Sequence, residues 1–171
     1  MVESITTSVV SATEADWSRE KLSRWWEPSR QLLKSIRNYQ KWQQRGGILG
    51  YFLSRFNIIP HLFWTIVAGT DIPLNCQIGG GLVMLHPNGI VIHPEASIGP
   101  NCMIFQQVTI VAHVKIGGHV DIGAGAKIIR SVTIGDHALI GANAVVICDV
   151  PPGATAVGIP AKIIEKKTPK V

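Results

Sequence analysis

The sequence predicts a mainly β protein, a parallel β-helix of hexapeptide repeats that follows an N-terminal α-helical segment. The first observation is an aliphatic residue at every sixth position from Ile92 to Val146. The second is a small or β-branched residue four positions after each of them, from Ala96 to Val150. A helix has a period of 3.6 residues and a strand a period of 2, so neither sustains this pattern. A fixed six-residue period is typical of a β-helix, in which each repeat forms one side of a coil.

The N-terminal segment, residues 1–69, is predicted to be helical and to act as a cap or an oligomer contact. Two helices are expected over residues 14–45, because apolar residues recur there at spacings of three and four. Pro28 suits the first turn of the second helix, and Gly46 and Gly47 end it. The apolar stripe consists of Leu22, Trp25, Trp26, Leu32, Leu33 and Ile36.

Residues 48–69 are more apolar, and their number is near that of a membrane span. Arg55, Asn57, Pro60 and His61 near the middle make insertion costly. We therefore expect a broken helix that covers the open first coil or packs against another subunit, because a solenoid end exposes strand edges and core. A peripheral membrane contact is the alternative.

Composition favours a packed globular protein, because hydrophobic residues make up 46% of the 171 residues and charged residues only 16%. Most of the net charge of +5 arises outside the repeat, since residues 1–70 hold nine Lys and Arg against five Asp and Glu. We interpret this excess as a solvated helix face and expect no nucleic-acid partner. The three cysteines show neither zinc spacing nor a disulfide framework, and no secretory leader is recognisable, which favours a cytoplasmic location.

Residues 70–171 are predicted to form the β-helical domain with a C-terminal tail. Burying each inward aliphatic side chain contributes about 1.5–3 kcal/mol, so the stacked coils build a long core. The repeat begins at Ile72, Ile78 and Met84 and then slips by two residues through the sequence Leu-His-Pro-Asn-Gly at 85–89. A break in an otherwise regular repeat is where we expect a functional site.

Residues 71–164 resemble the catalytic half of serine O-acetyltransferases, members of the hexapeptide-repeat acyltransferase superfamily. The motifs that carry the resemblance are HPNG at the slip, IFQQVT in the next coil, IGAGAKI, and GIPAK near the end. The resemblance implies a left-handed parallel β-helix, a homotrimer and an active site in a groove between subunits. It also implies acetyl transfer from acetyl-CoA, the acyl donor, to a hydroxyl group, with no tightly bound cofactor and no metal.

Two residues match the catalytic pair of that family. His86 matches the catalytic histidine and Asp71 its acidic partner. A neutral imidazole can take the proton of an alcohol as it attacks a thioester, and a carboxylate can fix the tautomer of the imidazole. No serine or cysteine occupies a nucleophile position of the family pattern, so direct transfer is expected rather than an acyl-enzyme. A turn histidine and a local cap are the structural alternatives.

Further positions match substrate-binding residues. His113 matches a histidine that lies near the acceptor across the subunit interface, although most of the glycine-rich loop that precedes it in the family is missing here. Acetyl-CoA would lie beside the later coils, with its pantetheine arm near Ala124 and Ala142. Lys162 would lie near the nucleotide phosphates, for which a point charge is suitable. An outward-facing histidine and a solvated lysine are the alternatives.

The chemical class of the acceptor is predicted from Leu85. This residue occupies the position at which serine-specific members of the family carry an aspartate that helps to hold the ammonium group of serine. Leucine at that position removes an anion and leaves an apolar wall. We therefore predict an uncharged hydroxyl acceptor, such as a saccharide in polysaccharide modification. Serine, as in cysteine biosynthesis, is the alternative acceptor.

Two further classes stay open. His119 and His137 are 18 residues apart and should stack on adjacent coils, as zinc-binding histidines do in carbonic anhydrase-like β-helices. Zinc chemistry needs three ligands, and no third histidine has a matching place. The other class is a β-helix without catalytic activity, which the shortened loop before His113 would permit.

Overall fold

The computed structural model describes residues 10–164 and contains a helical segment followed by a β-helix. A short 3-10 helix, Trp17–Glu20, precedes three α-helices: α1 (Pro28–Arg45), α2 (Gly47–Phe56) and α3 (Ile58–Ala68). Pro28 occupies the first turn of α1, and Gly46 ends it in the left-handed region with a φ of 62°. Both predicted features of α1 are confirmed.

The β-helix is built from short strands, most of them two residues long. In chain order they are β1 (Gln77–Ile78), β2 (Val83–Met84), β3 (Val91–Ile92), β4 (Ser97–Ile98), β5 (Met103–Ile104), β6 (Thr109–Ile110), β7 (Lys115–Ile116), β8 (Asp121–Ile122), β9 (Lys127–Ile128), β10 (Thr133–Ile134), β11 (Leu139–Ile140), β12 (Val145–Val146), β13 (Thr155–Val157) and β14 (Lys162–Ile164).

These strands form three parallel sheets, which are the three sides of the coil. The first sheet has the order β1-β4-β7-β10, the second β14-β13-β11-β8-β5-β2, and the third β12-β9-β6-β3. Ile98 pairs with Ile116 and Ile116 with Ile134, so one coil takes 18 residues. Only β14 runs antiparallel to its neighbour. The predicted parallel β-helix of hexapeptide repeats is confirmed.

The aliphatic residues of the repeat form the core. Ile92, Ile104, Ile122 and Ile140 are all buried, and so are the small residues beside them, such as Ala126. Cys76 and Cys102 take two of these inward positions, as expected, whereas Cys148 is exposed. Because nearly every inward position is filled, the interior cannot hold a ligand, and a functional site must lie on the outside of the coil.

Three columns of loops form the edges of the coil, and we name each by a histidine that it contains. The His86 edge consists of residues 85–90, 105–108, 123–126 and 141–144. The His113 edge consists of residues 93–96, 111–114, 129–132 and 147–150. The His119 edge consists of residues 79–82, 99–102, 117–120 and 135–138.

The expected helix between residue 14 and Pro28 is wrong. Only the four residues of the 3-10 helix are helical there, and Trp25 and Trp26 are 74% and 55% exposed rather than part of a buried stripe. Glu20 explains the difference, since its carboxylate accepts hydrogen bonds from the backbone of Gly81 and Leu82 on the first coil. These tertiary contacts hold the chain against the β-helix instead of in a helix of its own.

The segment 48–69 is a broken helix, as predicted, with the break at Asn57 between α2 and α3. The first coil is covered mainly by α1, however. Arg37 donates to the carbonyl of Gly79 at 2.7 Å, and Gln40 donates to that of Cys76 at 2.9 Å. These long side chains satisfy carbonyls at the open end of the solenoid.

The division of the chain into 1–69 and 70–171 stays a prediction, and part of each range lies outside the described residues. Among residues 10–164, no helix is both long enough and apolar enough to cross a bilayer.

Candidate active site

The loop at the register slip is the longest between neighbouring strands from β1 to β12. Six residues, 85–90, separate β2 from β3, whereas four residues separate β5 from β6 on the next coil. Gly89, with a φ of 73°, donates its N–H to the carbonyl of Gly69 at 2.7 Å. Gly69 is the left-handed cap of α3, so the end of that helix fixes the loop. The slip therefore projects His86 away from the regular coil.

His86 lies at an outer cavity of about 620 Å³, together with Leu85, Pro87 and Asn88 from the same loop. The imidazole is exposed, and Leu85 is 51% exposed beside it. An exposed imidazole at the wall of an open cavity can meet a substrate hydroxyl. His86 and Leu85 thus line the same cavity, and their roles in catalysis and acceptor binding stay predictions.

This cavity is also lined by polar side chains that the sequence analysis did not single out. Arg19, Ser23 and Glu27 come from the segment before α1, and Arg30 comes from the first turn of α1. Ser23 donates from its backbone N–H at 2.9 Å and from its hydroxyl at 2.5 Å to Glu27, and Arg30 lies 3.2 Å from the same carboxylate. The Ser23 hydrogen bonds lower the pKa of Glu27 to about 2, with a smaller contribution from Arg30. The cavity therefore holds a permanent carboxylate next to guanidinium groups.

Asp71 lies beside the strand that leaves the His86 loop. Its backbone forms a parallel bridge with Val91, donating to the carbonyl of Ile90 and accepting from Ile92. The carboxylate is exposed, and among the described residues no hydrogen bond joins it to His86. The structure brings Asp71 to the root of the loop, and the catalytic pair stays a prediction.

Ala124 and Ala142 lie on the His86 edge, one and two coils beyond the loop 105–108. The column is continuous, because Gln107 donates to Asn88, Gly125 to Gln106, and Asn143 to Ala124, at 2.7–2.9 Å. At about 4.8 Å per coil, the loop of Ala142 lies about 14 Å along the axis from that of His86. Lys162 follows in β14, where it pairs with Val157, and its side chain is exposed. This edge offers an extended ligand a surface of small residues.

His113 lies on another edge. Its φ is 62°, and its imidazole is 3.3 Å from the carboxylate of Glu95 on the preceding coil, near His93. The third sheet separates the His113 edge from the His86 edge, and His113 does not line the cavity at His86. Within one subunit the two histidines are therefore not brought together.

The histidine pair on the His119 edge is confirmed. The two Nδ1 atoms of His119 and His137 are 2.9 Å apart, and the rings meet edge to face with their centroids 5.0 Å apart. Among residues 10–164, no three His, Cys, Asp or Glu side chains are grouped so that they could hold a metal ion. In the described part of the chain the two histidines thus form an edge-to-face pair on adjacent coils.

The chain is similar to serine acetyltransferases in both sequence and structure. It is 33% identical over 131 residues to the serine acetyltransferase of Synechococcus elongatus, an alignment that covers 70% of this chain and 54% of the relative. The soybean serine acetyltransferase complexed with serine superposes with a TM-score of 0.66 at 32% identity, covering 80% of this chain and 57% of that one.

A serine acetyltransferase in complex with CoA superposes with a TM-score of 0.69 at 32% identity, covering 81% of this chain and 57% of that one. No protein-family model matches the chain. The chain spans about half the length of curated relatives that it matches. The resemblance to serine acetyltransferases and the left-handed β-helix of hexapeptide-repeat acyltransferases are confirmed. The relatives named here are serine acetyltransferases, so they give no support to the saccharide acceptor predicted from Leu85.

Proposed function

We propose that this protein is an acetyl-CoA-dependent O-acetyltransferase whose acceptor is serine. The observation that carries the proposal is His86, held out of the coil at an open cavity, on an edge of small residues, in a fold similar to that of serine acetyltransferases. One of those neighbours is complexed with serine and another with CoA. A base, a space for an acceptor and a track for a thioester therefore lie on one edge.

In the proposed reaction, His86 acts as the general base. The imidazole takes the proton of the acceptor hydroxyl while the oxygen attacks the thioester carbonyl. The tetrahedral intermediate then expels the thiolate of CoA, which receives the proton from the imidazolium. Asp71, at the root of the loop, would orient the ring and stabilise the imidazolium.

Acetyl-CoA would lie along the His86 edge. Ala124 and Ala142 leave the backbone of successive coils accessible to the pantetheine arm, because neither side chain projects beyond its Cβ. Lys162, exposed at the end of this edge, would face the phosphates. Lys162 lies more than three coils, or about 14 Å, from the His86 loop along the axis. An extended pantetheine arm needs a separation of this size.

Charged groups in the cavity support an amino-acid acceptor despite Leu85. Glu27 stays ionised at neutral pH and can attract an ammonium group, and Arg19 and Arg30 can attract a carboxylate. Glu27 would then take over the task of the aspartate that Leu85 replaces. A neutral hydroxyl, as in a saccharide, is the second candidate, favoured by the apolar wall that Leu85 gives to the cavity.

His113 would reach the acceptor only across a subunit boundary. We propose a homotrimer in which the His113 edge of one subunit faces the His86 edge of the next. The exposed imidazole of His113, held near Glu95, would then complete the cavity.

The experiment is release of CoA thiol from acetyl-CoA in the presence of serine, homoserine, simple sugars or nucleotide sugars. Serine should give the highest kcat/KM. A rate above the acetyl-CoA hydrolysis background with a sugar alone would instead establish the second candidate. No release with any acceptor, together with no CoA binding by calorimetry, would contradict the proposed activity.

A pair of matched variants tests the CoA track. Ala142→Phe should raise the KM for acetyl-CoA at least tenfold, because the ring would cover the edge. Asp136→Phe changes the equivalent exposed loop position on the His119 edge, which faces neither of the other two edges in the proposed trimer, and should leave that KM unchanged. An equal effect of both variants would exclude the His86 edge as the specific track.

A further inference from the structure

The helices α2 and α3 turn Trp64 and otherwise mainly small and polar residues towards the protein, and most of their large apolar residues outward. The inward stripe follows spacings of four and three residues, which place its members on one face of the broken helix. The stripe consists of Gly50, Ser54, Asn57, His61, Trp64 and Ala68, and all six are buried or half-buried. An ordinary surface helix of a globular protein shows the opposite arrangement.

The inward stripe packs against α1 through close and polar contacts. A Cβ on Gly50 would lie 2.7 Å from the carbonyl oxygen of Trp42, so only glycine permits this approach. The hydroxyl of Ser35 on α1 lies 3.4 Å from Nδ1 of His61 on α3. The hydroxyl of Thr65, also on α3, lies 3.5 Å from Nε2 of His61. Small residues at the helix interface and polar residues facing the protein are typical of helices that contact lipid.

The outward faces form one apolar surface, which we call the apolar helical surface. It consists of Ile48, Leu49, Tyr51, Phe52, Phe56, Ile59, Leu62, Phe63, Ile66 and Val67. Their exposed fractions run from 36% for Val67 to 80% for Ile48. Trp26 extends the surface, because its ring meets that of Trp64 edge to face at 5.5 Å, and the ring of Trp64 lies 5.0 Å from that of Phe63. An exposed apolar surface of this extent marks an interaction site.

The charge around this surface has one sign. No Asp or Glu occurs from residue 28 to residue 70, whereas six Lys and Arg do. Arg30 and Arg37 pair with Glu27 and Glu20. The other four, Lys34, Lys41, Arg45 and Arg55, are exposed and pair with no carboxylate among residues 10–164.

These four cations are arranged for a common partner. Lys34, Lys41 and Arg45 are seven and four residues apart and so lie along one line of α1. Arg55 lies within the apolar helical surface, with its guanidinium 5.2 Å from the ring of Tyr51. The partner must therefore accept apolar side chains and offer negative charge at the same place.

We propose that the apolar helical surface binds an anionic lipid bilayer, with α2 and α3 lying at the level of the headgroups. Apolar and aromatic side chains would enter the acyl boundary, and the four cations would meet anionic headgroups. A second copy of the chain is the less suitable occupant, because it would bring a second set of the same unpaired positive charges into contact. Val67 belongs both to this surface and to the wall of the cavity at His86, so the bound bilayer would lie beside the mouth of that cavity.

The test is sedimentation of the full chain with vesicles of phosphatidylcholine alone or with one quarter phosphatidylglycerol. The wild-type chain should bind the anionic vesicles roughly tenfold more tightly or better, and added salt should reduce the difference. Phe52→Ser combined with Phe56→Ser should weaken binding to the anionic vesicles by roughly tenfold or more. Replacing Lys34, Lys41 and Arg45 by glutamine should remove the preference for anionic lipid.

The matched control is Ile129→Ser combined with Leu139→Ser, which removes two exposed apolar side chains from the β-helix. These substitutions should leave vesicle binding unchanged, and circular dichroism should show that every variant is folded. Light scattering without vesicles tests the other occupant. Absence of vesicle binding, an equal loss in the control, or a smaller oligomer caused by the Phe52 and Phe56 substitutions would each overturn the proposal.

Discussion

His86 and His113 lie on different edges of the same β-helix, with the third sheet between them. Both side chains are exposed, and neither can reach the other within one subunit. If both serve one reaction, the site must be shared between neighbouring subunits. This relationship leads to a test that uses two inactive variants.

Coexpression of His86→Ala with His113→Ala should restore activity that neither variant has alone. In a closed ring with random mixing, about one site in four receives both histidines, so about a quarter of the wild-type rate is expected. The measurement is the rate of thiol release by the purified mixed oligomer. If the mixed oligomer is no more active than the separate variants, the two histidines do not share a site.

His86→Ala alone should lower kcat by roughly 10²–10⁴-fold, which is the scale for loss of a general base. The fold should be unaffected, because the side chain is exposed and makes no contact with the core. His137→Ala, which removes an exposed imidazole from the His119 edge, is the matched control and should keep its activity. A His86→Ala protein of normal kcat would exclude this residue as the base.

Leu85→Asp should raise kcat/KM for serine by roughly ten- to a hundredfold, because a hydrogen bond between ionised groups contributes about 1.5–3 kcal/mol. The side chain is half exposed, so the substitution should be tolerated. Leu85→Asn has nearly the same shape without the charge and serves as the control. Equal rates for the two variants would assign recognition of the ammonium group elsewhere, with Glu27 as the next candidate.

Asn101→Ala should lower the free energy of unfolding by about 1–3 kcal/mol beyond any effect on the backbone. The buried amide donates to the carbonyls of Ser11 and Glu14 at 2.7 Å and accepts from the N–H of Asp16 at 2.8 Å. The control is Asn143→Ala, an exposed position with a similar φ, 56° against 59°. Urea unfolding measures both, and equal losses would mean that only the left-handed backbone matters.

The three cysteines should differ in reactivity. Burial raises the pKa of Cys76 to about 12 and that of Cys102 to about 11, so both remain protonated thiols at pH 8. Cys148 is exposed. An aromatic disulfide reagent should therefore modify one thiol of the native protein and all three after unfolding. The native Cys148→Ser protein retains Cys76 and Cys102 and should show no fast-reacting thiol, and one or two such thiols would contradict the buried positions.

The sequence predicted the β-helix well because its repeat is local and strict. The aliphatic residue at every sixth position must point inward. The slip in the repeat at 85–89 therefore displaces the loop that carries His86. The helix expected before Pro28 failed for the opposite reason. Glu20 and Asn101 determine the path of that segment through contacts with residues far away in the chain, which no local spacing reveals.

Only part of the cavity lining could be predicted from the sequence. Leu85 and His86 belong to the slip in the repeat, which the sequence reveals, whereas Glu27 and Arg30 come from a region without a repeat or a motif. Only the fold brings Glu27 and Arg30 to the same cavity. The edge on which His113 lies can be predicted by counting hexapeptides. The count does not predict which subunit's active site His113 would complete.

The reversal of β14 gives the two ends of the solenoid different properties. Parallel coils could in principle continue from one molecule into the next and produce a fibre. The short strand β14, which begins at Lys162, pairs with β13 in the antiparallel direction at the end of the second sheet. This direction does not suit the addition of a further parallel coil. Shortening the protein to Val157 would expose the last coil, and because α1 covers the first coil, we expect two such exposed ends to associate as a pair rather than a fibre to grow.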